Sequence, residues 1–185
     1  MSQNESKLKR FEQKLFETCL KYADIKGKTN VMTLKVSFFG LLLTPNIPSI
    51  LNFDILYLYK AFQDRHVEVR IHDPHMKGSE ALQYGVHLGR QSENERWTHT
   101  HDVIVLSTPH AFYMKYIDKM LHMFKPDKQC LWLDIYGAIS PIALAAYDKV
   151  DYIDFYEQAL KAELIGIPQI PPQPLIDWKP SEPLN

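Results

Sequence analysis

The chain has 185 residues, 45% of them hydrophobic and 23% charged, with a formal net charge of -1. That is enough apolar mass for one sizeable core, and it offers no electrostatic case for nucleic acid or an anionic membrane surface as a partner. Two cysteines far apart in the chain point to reduced thiols and a cytoplasmic setting, the polar start Met1 to Ser6 has no secretory hydrophobic region, and the longest apolar run, residues 38–43, is too short to span a bilayer.

Leu8, Phe11, Leu15, Cys19 and Tyr22 recur at three- and four-residue spacing, which predicts an amphipathic helix over residues 5–22. Gly27 and its polar neighbours make residues 24–30 a linker. Leu34, Val36, Phe38 and Phe39 then form a strand, Pro45 and Pro48 keep residues 40–53 as a loop, and Ile55, Leu58, Tyr59 and Phe62 share one face of a helix over residues 54–63. Residues 67–71 form a second strand that runs into Asp73 and Pro74. Strand, helix and strand in this order are a βαβ unit. It returns the chain to the same parallel sheet by a right-handed crossover and leaves the loop after the first strand at the C-terminal rim, where ligands usually bind.

Downstream, residues 77–84 read as a short helix, 86–88 as a short strand and 91–100 as irregular. Val103 to Leu106 is a continuous apolar strand of the parallel-sheet type. A helix over 112–124, a strand over 130–133, a short helix over 140–146 introduced by Pro141 and a helix over 154–165 ended by Gly166 follow. From Ile167 onward the chain holds six of its 12 prolines, a composition that favours an extended, polyproline-like arm. Ile170, Leu175, Ile176 and Trp178 give this arm apolar anchors, which pack on its own domain or on a second copy.

Four blocks carry a family resemblance: Lys35 to Asn46, Val67 to Pro74, His101 to His110 and Leu131 to Tyr136. In that order they resemble the C-terminal, UDP-binding domain of the UDP-glucose/GDP-mannose dehydrogenase family, over roughly residues 34–139. The resemblance implies a three-layer, Rossmann-like α/β domain with a parallel sheet, preceded by an amphipathic helix and followed by a Pro-rich arm. The expected division is residues 1–30 for helix and linker, 31–150 for the domain and 151–185 for the last helix and arm. It also implies a nucleotide sugar as ligand, with Thr44, Asn46, Thr108, His110 and Tyr136 around the rim.

Several positions depart from the family pattern. The family's loop Lys falls on Thr44, its Thr on Ile47, its Arg on Leu51, its Ser on Phe53, and the Arg after its last-strand Asp on Tyr136. Two loop cations, and the Arg that in the family helps hold the nucleotide sugar, are thereby lost, and with them charge-assisted contacts of the kind a pyrophosphate needs. No Gly-x-Gly-x-x-Gly turn follows a strand, and Cys19 and Cys130 lie in apolar runs that read as packing positions rather than nucleophiles. The expectation is therefore a non-catalytic domain with no cofactor, either a weak nucleotide-sugar binder or an assembly module. The alternatives are a subunit that completes a dehydrogenase in trans and a flavodoxin-like flavin-binding protein.

Histidine placement raises two further possibilities. His72 with His75, and His99 with His101, have loose spacing for a zinc site, and solvated loop histidines are the favoured reading. His110, after Ser107, Thr108 and Pro109, reads as a rim histidine ahead of a general base. The stripe Leu8, Phe11, Leu15 and Cys19 has no N-terminal domain to cover it, which predicts a homodimer or a protein partner through this helix, the alternative being that the helix folds back on its own sheet.

Overall fold

Five strands form one parallel sheet in the computed structural model, which describes residues 3–25, 27, 33–89, 102–113, 130–139, 150–164 and 166–167. They are β1 (Lys35–Phe39), β2 (Glu68–His72), β3 (Val103–Leu106), β4 (Cys130–Asp134) and β5 (Val150–Asp154), in the order β2-β1-β3-β4-β5. The helices among the described residues are α1 (Gln3–Ile25), α2 (Phe53–Asp64), α3 (Gly78–Leu82) and α4 (Tyr156–Lys161). This is the parallel, Rossmann-like α/β architecture expected from the βαβ unit. Its strand order reverses the direction of winding between β1 and β3, which puts the switch-point crevice at their C-terminal ends.

The apolar runs explain which strands are central. β3 and β4 are buried at every position and β1 at all but its first, as continuous Val, Ile, Leu and Phe require of strands covered on both faces. β2 and β5 expose alternate positions and are the edges. Side chains alternate across the sheet, so Val36, Phe38, Val105 and Leu133 join a core with α1, α2 and α4, while Phe39, Ile104, Leu106 and Trp132 join a second core with Tyr113. α2 is fixed at its start by Asn52, whose side-chain oxygen accepts the N–H groups of Asp54 at 3.1 Å and Ile55 at 3.3 Å.

The apolar stripe of α1 is spent within the chain. Phe11, Leu15, Cys19, Tyr22 and Ala23 are all buried in the first core. Phe11 stands edge-on to Phe155 at 6.0 Å and Phe16 edge-on to Phe62 at 5.4 Å, while Glu12 pairs with Arg65. The helix folds back on its own sheet, so an uncovered stripe does not supply a dimer contact. Both cysteines are buried free thiols, and burial pushes Cys19 up to about 12, in keeping with a packing role.

Three element expectations need correction. The strand over 86–88 reduces to a single parallel bridge between Ile71 and Leu88. The helix over 154–165 is shorter, because Asp154 ends β5 and the helix itself ends at Lys161, with Glu163 at φ 56° turning the chain. β5 was not anticipated: Val150, Asp151, Tyr152, Ile153 and Asp154 form an exposed edge without a continuous apolar run. The irregular stretch 91–100, the helix over 140–146 and the arm beyond Ile167 lie outside the described residues, as does the helix over 112–124 after its first two residues. No helix among the described residues is long and apolar enough to cross a membrane.

Candidate functional site

Strand register gathers the rim. Phe39 is level with His72 on one side and Leu106 on the other, Leu106 with Asp134, and Asp134 with Asp154. The residues that follow this row, Gly40, Asp73 and Ser107 to His110, therefore meet at the switch point although they are far apart in sequence.

After β1 the chain makes a narrow hairpin. Leu42 bridges Leu51, the Leu43 N–H donates to the Ile50 carbonyl at 2.9 Å, and the Asn52 N–H to the Leu41 carbonyl at 2.8 Å. Gly40 is required at its foot: φ is 104°, and a Cβ there would lie 2.3 Å from Thr108 Cβ. The loop after β3 holds this hairpin through hydroxyls, with Ser107 Oγ donating to the Gly40 carbonyl at 2.6 Å and Thr108 Oγ1 to the Leu42 carbonyl at 2.8 Å.

Asp73 is the centre of the arrangement. Its Oδ2 accepts the N–H groups of Leu41 at 2.8 Å and Leu42 at 3.0 Å and lies 3.1 Å from His110 Nε2, while Oδ1 accepts the His75 N–H at 2.9 Å. Burial alone would push this carboxyl up, but the bonds from His110, Leu41 and Leu42 outweigh it and hold the group below its ordinary value. On the far side of the ring, His110 Nδ1 accepts the Asn46 N–H at 2.9 Å, and Asn46 Oδ1 accepts the Ala111 N–H. Asn46 has φ 67°, a left-handed conformation that asparagine tolerates better than most residues.

Of the five rim residues named from sequence, Asn46, Thr108 and His110 come together here, each bonded within the lock between the two loops. Thr44 is exposed on the hairpin, with its N–H donating to Ser49 Oγ at 3.0 Å. Tyr136 belongs to the end of β4, half-buried against both cores, with its N–H donating to Asp134 Oδ1 at 3.0 Å. Asp134 also accepts from Gly137 at 2.8 Å and Ile139 at 2.9 Å. Burial nevertheless pushes Asp134 up, against the pull of these three amides. Asp73 is the residue whose part sequence reasoning missed. Its signal was an Asp-Pro pair ending the strand that the βαβ unit places beside the first rim loop.

This geometry constrains chemistry. Both ring nitrogens of His110 are engaged and the ring is wholly buried, so in this conformation it has no free nitrogen with which to take a substrate proton. The amides of Leu41 and Leu42 are taken by a carboxylate of the chain itself, so in this conformation they are not open to an outside anion. Of the histidine pairs, His72 is buried in the sheet with its pKa pushed down to about 4, chiefly by burial and also by Arg70, and the His75 ring lies 5.0 Å from that of His110. Among the described residues no group of three or more His, Cys, Asp or Glu is placed to hold a metal ion, and His99 and His101 lie outside them.

No family model matches the sequence, and no curated protein matches it. Among solved structures, the chain is similar to a GDP-mannose dehydrogenase from Pseudomonas aeruginosa, solved as a ternary complex, with a TM-score of 0.44 and 15% sequence identity. The similarity covers 71% of this chain and 30% of the length of that one.

Proposed function

We propose that the chain is a non-catalytic assembly module in which the proline-rich arm of one copy docks on the rim of another. The observation that carries this reading is an apolar surface around the β1–α2 hairpin, where Ile47, Ile50 and Phe53 are 52%, 69% and 57% exposed and Phe53 stands edge-on to Tyr84 at 6.3 Å. Exposed apolar side chains grouped at one edge mark a contact surface. Aromatic surfaces of this kind suit proline-rich segments, because a polyproline-like strand loses little conformational freedom on docking.

The place of Gly166, just before the arm in sequence, supports the same reading. Gly166 lies against the hairpin, close enough that a Cβ there would stand 2.7 Å from Leu43 Cδ1 and 3.1 Å from its carbonyl oxygen. The last described residues thus stand beside the hairpin, and the apolar anchors Ile170, Leu175, Ile176 and Trp178 follow in sequence. A nucleotide sugar held by Thr44, Asn46, Thr108, His110 and Tyr136 is the rival reading. The lock counts against it, since phosphates brought to the Leu41 and Leu42 amides would meet the Asp73 carboxylate.

Light scattering on three full-length chains tests the assembly reading: the unchanged chain, Ile50→Ser with Phe53→Ser, and Leu175→Ser with Trp178→Ser. A dimer that becomes a monomer in both double variants is expected. A monomeric unchanged chain, or a dimer that survives both variants, overturns it. Titration of the unchanged chain with UDP-glucose and GDP-mannose should leave the amide resonances of Asn46 and His110 unmoved, and saturable shifts there would favour the rival reading.

A further inference from the structure

We propose that the cleft between α1 and α4 binds a small molecule carrying a condensed phosphate chain. The cleft measures about 380 Å3 and is lined by Lys7, Arg10 and Lys14 from α1 and by Gln158 and Lys161 from α4, over a floor of Phe11 and Ala162. That volume falls within the usual range of small-molecule sites, roughly 300 to 1,000 Å3. It lies away from the rim and does not depend on the arm.

The charge arrangement carries the inference. Lys7, Arg10 and Lys14 are spaced by three and four residues, so they stand one above the other on a single stripe of α1, and Lys161 adds a fourth cation from the facing helix. Solvated helix faces usually interleave acids with such a row; here the only ion pair to these four cations among the described residues is Lys7 with Glu163. Among the described residues the lining of the cleft holds these four cations and no carboxylate, a pronounced segregation in a chain whose formal net charge is -1.

The side chains are also arranged for a ligand. Lys14 Nζ donates to Gln158 Oε1 at 2.9 Å, which ties one ammonium to the opposite wall. Arg10 uses Nε and one terminal nitrogen on Ser6, at 3.3 Å and 3.4 Å, and pairs with no carboxylate among the described residues. A planar guanidinium suits paired phosphate oxygens and the ammonium groups act as point charges beside it. A linear run of anionic centres matches a linear run of cations better than a compact polycarboxylate does.

Isothermal titration of the full chain at low salt with inorganic tripolyphosphate, ATP and citrate tests the proposal, using full-length Arg10→Gln with Lys161→Gln as the altered protein. The expected result is a Kd for tripolyphosphate of about 0.1 mM or tighter. It should weaken by about tenfold or more in the variant and again in high salt, with the ligand-free melting temperature unchanged. Equal affinity for ATP assigns the site to the phosphate chain alone, and tenfold tighter ATP assigns it to a nucleotide source. No binding by tripolyphosphate or ATP, binding unchanged in the variant, or citrate binding as tightly as tripolyphosphate overturns the proposal.

Discussion

His110 Nε2 stands 3.1 Å from Asp73 Oδ2 with both side chains wholly buried, and this pair joins the segment after β3 to the segment after β2, whose Asp73 in turn holds the hairpin after β1. The switch point of a doubly wound sheet is ordinarily left open for a ligand. Here a carboxylate from the end of β2 enters it, takes the two hairpin amides and leaves the polar rim residues bonded to one another. What the rim offers outward is instead the apolar surface of Ile47, Ile50 and Phe53.

Removing Asp73 should cost more than a surface charge does. Asp73→Ala leaves the Leu41 and Leu42 amides and the His110 Nε2–H buried without an acceptor, a loss of about 3–5 kcal/mol by analogy with broken buried pairs. The pH dependence has a definite sign. Because the folded pKa of Asp73 lies below its unfolded value of about 3.9, its contribution is present above that pH and lost as pH falls through the folded value. Asp134 acts in the opposite sense, since its raised folded pKa gives a contribution that is full in acid and is lost as pH rises through that value. Thermal melts of the unchanged chain and Asp73→Asn between pH 2 and pH 7, the range set by these carboxyls, should show the variant less stable at neutral pH and closer to the unchanged chain in acid.

His72 sets a second, higher window. Burial lowers its pKa from 6.5 to about 4, so the folded state resists its protonation. Its contribution is present above pH 6.5 and is lost as pH falls towards about 4, an effect on the order of 3 kcal/mol at full extent. The ring is tightly enclosed: a Cβ on Gly89 would lie 2.0 Å from its Cε1. Chemical denaturation at pH 7 and pH 5 should therefore show falling stability in the unchanged chain and a shallower fall in His72→Gln. Equal slopes would mean that other groups carry the acid sensitivity.

How far sequence reaches is clearest at α1. Its periodicity is plain, and the helix is present, but periodicity does not say which surface covers the stripe. The structure puts Leu15 fully inside the chain's own core while Leu20, on the same helix, is 38% exposed. Leu15→Ala should lower stability by about 2–5 kcal/mol, whereas Leu20→Ala should stay within about 0.5 kcal/mol. Denaturant melts of both variants separate a core helix from one that only mediates association, since the latter role predicts little change for either in the monomer.

The central strands were readable because β1, β3 and β4 are buried on both faces and so carry unbroken apolar runs. β5 escaped because an edge needs no such run; Asp151 and Asp154 are exposed in it, and its last residue reads as the start of the helix that follows. The rim was placed correctly by topology, whereas its internal bonding was not foreseen. Asn46, Thr108 and His110 have the polarity of ligand contacts, and nothing in a single sequence tells a polar group aimed at a ligand from one aimed at a neighbouring loop. Asp73 Oδ2 decides the matter at two of the hairpin amides.

The lock also dictates the tautomer of His110. The Asn46 N–H points at Nδ1 from 2.9 Å, and an amide can only donate, so Nδ1 must present its lone pair. The ring proton then sits on Nε2, where it faces the Asp73 carboxylate that the surrounding donors keep ionised. Two independent contacts thus require the same form. Long-range 15N NMR on ring-labelled protein near pH 7 should show a pyridine-type Nδ1 and a pyrrole-type Nε2 for His110. Asn46→Pro removes the amide donor and, with φ held at about −65°, the positive φ of the turn as well, and should let the ring proton occupy either nitrogen, whereas Asn46→Gly keeps both the N–H and the positive φ and should leave the tautomer unchanged. A pyrrole-type Nδ1 in the unchanged protein would mean that the hairpin tip does not sit on His110 in solution, and that the rim is open where this structure closes it.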